Sequence, residues 1–425
     1  METFTLWMAI IVVIATVYGL IKRWETRLVL ITAGLLMAVL SLNPMVAFQQ
    51  FDKSMTNPSL IIAICSAMGF AGVVSLTKCD VHLVALLTRP LGKLGILLLP
   101  ASMMVSGFCA VAIPSTAGLC ASIGPTLIPL LVRAGFKPAI AAAAVVAATT
   151  PALYNPGVAH NVFVAKLAGI GVMDLIGLVS VKIALFSLAI IVGLTVMCVI
   201  LKDYKKPDGS ELQYEALQGS GASNLPEHVN VAYAIAPLVP VALLIGFTLW
   251  GNVKISVATA MLVGAIYAVA VTRTNPAEVS KKFFEGMGKG YANILGIIIA
   301  AGVFAAGLRA AGVIDLMIQG LTNANEWARI GGSFGPYAMG VITGSGDAAA
   351  FAFNEAVTSH AAEFGMTIPS LGYLATIAGS FGRLSSPLCG GIILVAGIAR
   401  VNPIDIVKRT FPVMLVMLVA SYFFM

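Results

Sequence analysis

A single arginine, Arg383, stands in an otherwise apolar stretch, within Gly379-Ser-Phe-Gly-Arg-Leu-Ser-Ser-Pro-Leu388 and away from every cluster of basic residues. An arginine at the centre of a membrane helix costs roughly 2.5–3.5 kcal/mol on insertion scales, so it implies a partner or a wet cavity. Its planar fork takes a carboxylate through two parallel hydrogen bonds. Ser385 and Ser386 beside it add hydroxyls that donate and accept. The competing assignment is a structural salt bridge from Arg383 to Asp347 or Glu355.

Three further polar clusters interrupt apolar sequence: Ser115/Thr116, Thr149/Thr150 with Tyr154/Asn155, and Thr343-Gly-Ser-Gly-Asp347. Two of the four clusters read as hairpin tips and two as helix breaks. Half-helix N-termini in such places present unpaired N–H groups and the positive end of a helix dipole. Gly118, Gly344 and Gly346 suit tight turns and close ligand approach. Together, Ser115, Thr116, Gly118, Thr149, Thr150, Asn155, Thr343, Gly344, Ser345, Gly346, Arg383, Ser385 and Ser386 form a candidate site for a small anion, typically a carboxylate. The plain alternative is that small residues merely let helices pack closely. Asp347 and Glu355 are candidates to take a proton or hold Na⁺, and Glu355 could equally lock a hairpin from inside. His160 could titrate or be a packed polar residue.

What must position these groups is a duplication. Ala148-Thr-Thr-Pro-Ala-Leu-Tyr-Asn-Pro-Gly157 and the Arg383 segment correspond at an offset of 231, with Pro156 on Pro387 and Asp174 on Asp405. Backbone freed by Pro and Gly at membrane depth must be buried in protein or line a wet cavity. A duplicated, interrupted apolar segment is the sequence mark of a secondary transporter's substrate site.

Composition agrees: 59% of the 425 residues are hydrophobic and 10% charged, against about 25% charged in soluble domains. The expected class is an all-α polytopic membrane protein. The net charge of +7 reads as cytoplasmic Lys and Arg anchors rather than a nucleic-acid surface. The first apolar run, 3–20, has its basic residues after it and reads as a retained helix, not a signal peptide. Six scattered cysteines read as packing residues. No HExxH, GxSxG, Walker loop or Cys/His metal spacing occurs, which argues against an enzyme, a resident metal or a cofactor. A channel would need a continuous polar stripe rather than four separate clusters.

Apolar spans are expected near 3–21, 28–47, 59–77, 138–170, 183–201, 231–250, 254–272, 290–308, 370–400 and 404–425. Amphipathic stretches are expected at 80–92 and 313–326. Basic clusters lie around Lys22, Lys78, Arg133, Lys202, Lys281 and Arg409. Placing all of them in the cytoplasm makes 94–132 and 328–365 re-entrant hairpins. Each half then has five crossings, one broken, so the halves are inverted repeats (1–201 and 231–425) around a cytoplasmic linker (202–230), with both termini periplasmic.

The motifs Ile342-Thr-Gly-Ser-Gly-Asp-Ala-Ala-Ala-Phe-Ala-Phe-Asn-Glu355, Gly382-Arg-Leu-Ser-Ser-Pro-Leu-Cys-Gly390 and Val395-Ala-Gly-Ile-Ala-Arg-Val-Asn-Pro-Ile-Asp-Ile-Val-Lys-Arg-Thr410 resemble the anaerobic C4-dicarboxylate carriers of the DcuC type. The likeness covers most of 285–412 well and the first half more loosely. It implies a bacterial inner-membrane homodimer with scaffold and transport domains, moving succinate, fumarate or malate by an elevator motion. The chain departs from the family's pattern at Asp347, where a neutral Asn is expected, and at Tyr154-Asn-Pro-Gly157. The alternative is a carrier of the same fold for another organic anion or an amino acid. Coupling to H⁺ or Na⁺ is left open.

Overall fold

The computed structural model describes residues 2–22, 24–88, 95–205, 226, 228–250, 255–313 and 325–425, which form helices joined by short connections with no strand among them. Most of the expected linker at 202–230, most of the amphipathic stretch at 313–326 and the end of that at 80–92 lie outside the described residues.

The first half runs α1 (Glu2–Ile21), α2 (Thr26–Leu40), α3 (Met45–Met55), α4 (Pro58–Leu76), α5 (Cys79–Thr88), α6 (Leu98–Ala112), α7 (Thr116–Arg133), α8 (Pro138–Ala147), α9 (Ala159–Ala168) and α10 (Val172–Ile200). The second runs α11 (Val231–Ile235), α12 (Val239–Trp250), α13 (Val257–Thr272), α14 (Pro276–Gly290), α15 (Gly296–Ala310), α16 (Asn325–Thr343), α17 (Gly346–Ala356), α18 (Ile368–Leu384), α19 (Gly390–Ala399) and α20 (Pro403–Phe424). The starts of α2 and α13, α3 and α14, α9 and α19, and α10 and α20 are each 231 residues apart. Among the described residues six helical stretches are long and apolar enough to cross a membrane, or seven if the pair Met45–Met55 and Leu60–Leu76, bent by 48°, is one span.

Helix boundaries follow local chemistry. Pro58, Pro138, Pro276 and Pro403 open helices, where a missing N–H is no loss. Asn57, Asn275 and Asn402 cap three of these through their side chains. Two boundaries differ from expectation. The span near 28–47 ends at Leu40, because Leu42 takes φ 57° and Pro44 starts a separate helix, α3. The span near 290–308 is the C-terminal part of a longer element, Pro276–Ala310, that continues through a π-helical turn at Tyr291–Leu295.

The two broken segments also differ. Helix α18 runs unbroken to Leu384, whereas α8 stops at Ala147 and a 3₁₀ turn, Thr150–Tyr154, follows. Pro151 lacks an N–H and its ring would clash with the carbonyl of Ala147, so the first copy cannot continue where the second does.

Burial follows sequence as plainly. Every residue from Ala139 to Ala147 is buried, so α8 is apolar all round and sits at the centre. Helix α10 exposes Leu178, Val181, Leu185, Leu188 and Val192 and buries Leu175, Val179, Ile183, Phe186 and Ile190. That is one apolar stripe for lipid and one for protein. The halves interlock through close helix crossings: a Cβ added at Gly34 of α2 would sit 2.4 Å from the Val303 carbonyl oxygen of α15, and one at Gly286 of α14 would sit 2.4 Å from that of Met68 of α4. All six cysteines are buried and unpaired.

Candidate functional site

The turn between α6 and α7, the turn between α16 and α17, and both helix breaks meet at one cavity of about 500 Å³. Ala67, Met68 and Ala71 of α4 and Ile294 of the π turn close it on another side. Pockets of about 300–1,000 Å³ suit small ligands.

Four helix N-termini border this space, that of α9 through Gly157 to His160 and with no capping side chain. At α7, Ser115 is the cap: its Oγ accepts from the Gly118 N–H at 3.3 Å. At α17, Gly344 and Ser345 form the turn. Gly344 has φ +74°, and a Cβ there would lie 2.6 Å from the Leu388 carbonyl, so only glycine fits. At α19, Cys389, Gly390 and Gly391 line the cavity and no side chain caps the helix. Its first N–H groups therefore keep their capacity for an anion.

Arg383 and Asp347 face the same cavity. Nη1 of Arg383 lies 3.5 Å from Oδ1 of Asp347. Nε2 of His160 lies 3.2 Å from that same Oδ1, and the His160 ring stacks on Phe351 at 4.3 Å. Two buried polar atoms here have no protein partner: Nε of Arg383 and Nδ1 of His160. With Nδ1 unpartnered, the His160 tautomer protonated on Nε2 leaves only a lone pair unmet, which costs less than a stranded N–H. Among the cavity's described lining residues Arg383 and Asp347 carry opposite formal charges.

The first break is held by Asn161, which sequence reasoning passed over. Its Nδ2 donates to the carbonyls of Leu153 at 2.7 Å and Asn155 at 2.9 Å. Its Oδ1 accepts from the hydroxyl of Tyr373 on α18. One side chain thus ties two carbonyls of the broken segment to α9 and α18.

Of the expected site residues, Ser115, Thr116, Thr149, Thr150, Gly344, Ser345 and Arg383 line the cavity, as does Asp347. The others do not. Gly118 belongs to the α7 cap. Asn155 is buried, its Nδ2 donating to the Val111 carbonyl at 2.7 Å. Thr343 ties the second turn to itself, donating to the Met339 carbonyl at 2.7 Å and accepting from the Ser345 N–H at 3.1 Å. Gly346 packs on Gly379. Ser385 donates to the Phe381 carbonyl and accepts from Tyr337, and Ser386 accepts from the Leu388 N–H. Glu355 accepts from Gln50 Nε2 of α3 at 3.3 Å, away from the cavity. Residues found only in the structure are His160 as the partner of Asp347, and Cys389 to Gly391. The Cys-Gly-Gly run directly after the second break was a usable signal for the latter. Among the described residues no group of three or more His, Cys, Asp or Glu could hold a metal ion.

Residues 4–425 match the family model described as DcuC, C4-dicarboxylate anaerobic carrier. A Haemophilus influenzae protein named only as a transporter is 43% identical over 281 residues, which are 64% of this chain and 100% of that one. The anaerobic C4-dicarboxylate transporter DcuC of Escherichia coli K12 is 26% identical over 373 residues, 83% of this chain and 76% of that one. Among solved structures, the YdaH transporter of Alcanivorax borkumensis has a TM-score of 0.65 at 15% identity, covering 88% of this chain and 86% of that one. That likeness is one of fold.

Proposed function

The chain belongs to the DcuC family of C4-dicarboxylate anaerobic carriers, and on that footing we propose that it carries succinate, fumarate, malate or a close relative across a bacterial inner membrane. The observation that carries this reading is the single cavity bordered by both hairpin turns, both helix breaks and Arg383. A carboxylate there has a guanidinium to grip and the uncapped N–H groups of α19 to accept from.

The mechanism we infer is alternating access by two inverted repeats, 1–201 and 231–425, with re-entrant hairpins at α6–α7 and α16–α17 and both termini periplasmic. One continuous core joins most of α6–α10 with α16–α20, smaller cores unite α1–α4 with α11–α15, and a further core packs α4 and α15 against α9 and α17. This grouping, with the α4–α15 and α9–α17 contact as the sliding surface, supports a transport unit that moves against a scaffold in the manner of an elevator; the homodimer rests on the family resemblance. Asp347 borders the cavity and is the candidate for coupling to H⁺ or Na⁺; Glu355 is better read as a tether between α17 and α3.

The test is uptake of radiolabelled succinate, fumarate, malate, citrate and neutral amino acids into proteoliposomes, under imposed Na⁺ or H⁺ gradients. Saturable uptake of the four-carbon acids, with citrate and neutral amino acids excluded, is the expected result. Uptake of citrate alone, or of none of these, would overturn the reading.

A further inference from the structure

An anion site that contains its own carboxylate needs an account. We propose that Asp347 receives an ammonium group, so that the cavity selects a C4-dicarboxylate bearing a 2-amino group, an aspartate-type substrate, over the plain and 2-hydroxy acids. This assignment rests on the dicarboxylate reading of the same cavity.

The protein shows elsewhere what a structural Arg–Asp lock looks like. Arg409 grips Asp203 with two hydrogen bonds, Nε to Oδ2 at 2.6 Å and Nη2 to Oδ1 at 3.0 Å, and the Asp203 side chain is 0% exposed. The Arg383–Asp347 pair is unlike it. It touches at one point, at 3.5 Å, and the Asp347 side chain is 39% exposed and lines the cavity. Both contacts of Asp347 fall on Oδ1, so its second oxygen is the one a substrate donor would engage. On the arginine, Nε is buried without a partner. A pair held this loosely suits groups that each take a share of a ligand.

Charge leads to the same substrate. Arg383 is already balanced by Asp347, 3.5 Å away. A plain dicarboxylate would bring two negative charges to a site whose cation is compensated, beside a carboxylate that repels them. A 2-ammonium group offsets that carboxylate directly. One substrate carboxylate then takes Arg383 and the other the N-terminus of α19, where no side chain competes. Buried charges are tolerated when each is paired and hydrogen-bonded, and the aminated acid pairs every group the cavity offers.

The experiment is isothermal titration calorimetry at neutral pH on the purified full-length chain in nanodiscs, with L-aspartate, L-malate and succinate. Malate replaces the ammonium by a hydroxyl and succinate by hydrogen, on one skeleton. The wild type is expected to bind aspartate about tenfold or more tighter than either, the worth of one charge-assisted hydrogen bond. Asp347→Asn should invert the order, weakening aspartate at least about tenfold while malate and succinate hold or tighten. A ligand-free melt of the variant checks that it folds. Wild-type binding of malate or succinate as tight as that of aspartate overturns the assignment, whatever the variant does. If malate and succinate bind and aspartate does not, the ammonium assignment alone falls. If none of the three binds, the dicarboxylate reading falls with it.

Discussion

Gly346 and Gly379 pack backbone on backbone: a Cβ at position 346 would lie 1.9 Å from the Gly379 carbonyl oxygen. This contact presses the start of α17 against α18 and sets Asp347 beside Arg383. Gly346→Ala cannot be relieved by a side-chain movement, because the obstacle is main chain. The expected cost is at least about 3 kcal/mol, the upper range for overpacking. A thermal melt of the purified variant that matches the wild type would show the contact to be looser than described.

Arg409→Met should destabilise through charge rather than volume. It leaves the buried Asp203 carboxylate with Lys137 Nζ at 3.1 Å as its remaining cation. Stranding a buried carboxylate costs about 3–5 kcal/mol, and Lys137 should hold the loss near the lower figure. Adding Asp203→Asn should recover part of it. Denaturant or thermal unfolding of the single and double variants decides; no recovery in the double would argue against a charge effect.

Arg383→Lys and Arg383→Gln should separate ligand grip from fold. Asp347 keeps its contact with His160 and is not fully buried, so ligand-free stability should change little in either variant. Lys retains the charge but loses the fork, costing roughly 1.5–3 kcal/mol of binding, or about ten- to a hundredfold in affinity. Gln should abolish the ligand-induced rise in melting temperature. A large ligand-free loss with the ligand shift retained would make Arg383 a structural residue.

Asn161→Ala removes the donor to two carbonyls in the first break. The Asn155 carbonyl keeps the Val158 N–H at 3.1 Å, so the expected loss is that of the Leu153 carbonyl, about 1–3 kcal/mol. Asn161→Asp is the sharper test. It keeps the shape but replaces a donor by an acceptor facing two carbonyl oxygens, so it should melt below the alanine variant. The reverse order would mean that volume, not hydrogen bonding, holds the break.

The broad plan of the molecule was legible because few residue types are tolerated at membrane depth. Pro156 and Pro387, at one offset, located both breaks, and the cost of Arg383 called for a partner or a cavity, of which the structure shows both, Asp347 and the space it lines. What escaped the sequence were matters of facing. Ser385 and Ser386 share the polar run with Arg383, yet they turn inward to Tyr337 and Leu388, because period and register decide direction and a broken helix has neither. The helix at Met45–Met55 was not anticipated between the spans near 28–47 and 59–77; there Gln50 and Ser54 bond each other along one face of α3. Asn161 gave no signal, since its worth lies in two carbonyls and a tyrosine 212 residues away. His160 was noticed, but its partner Asp347 lies 187 residues on.

The meeting of α2 with α15 bears on how the chain is made. Gly34 waits for Val303, and Arg27 donates to the Ala292 carbonyl across 265 residues. At the usual 5–20 residues per second of synthesis, that separation is roughly 13 to 53 s. Throughout it, Gly34 and Arg27 of α2 lack the second-half backbone they contact in the finished fold. Assembly of this carrier is therefore paced by the ribosome, and its second half acts as the template that closes the first.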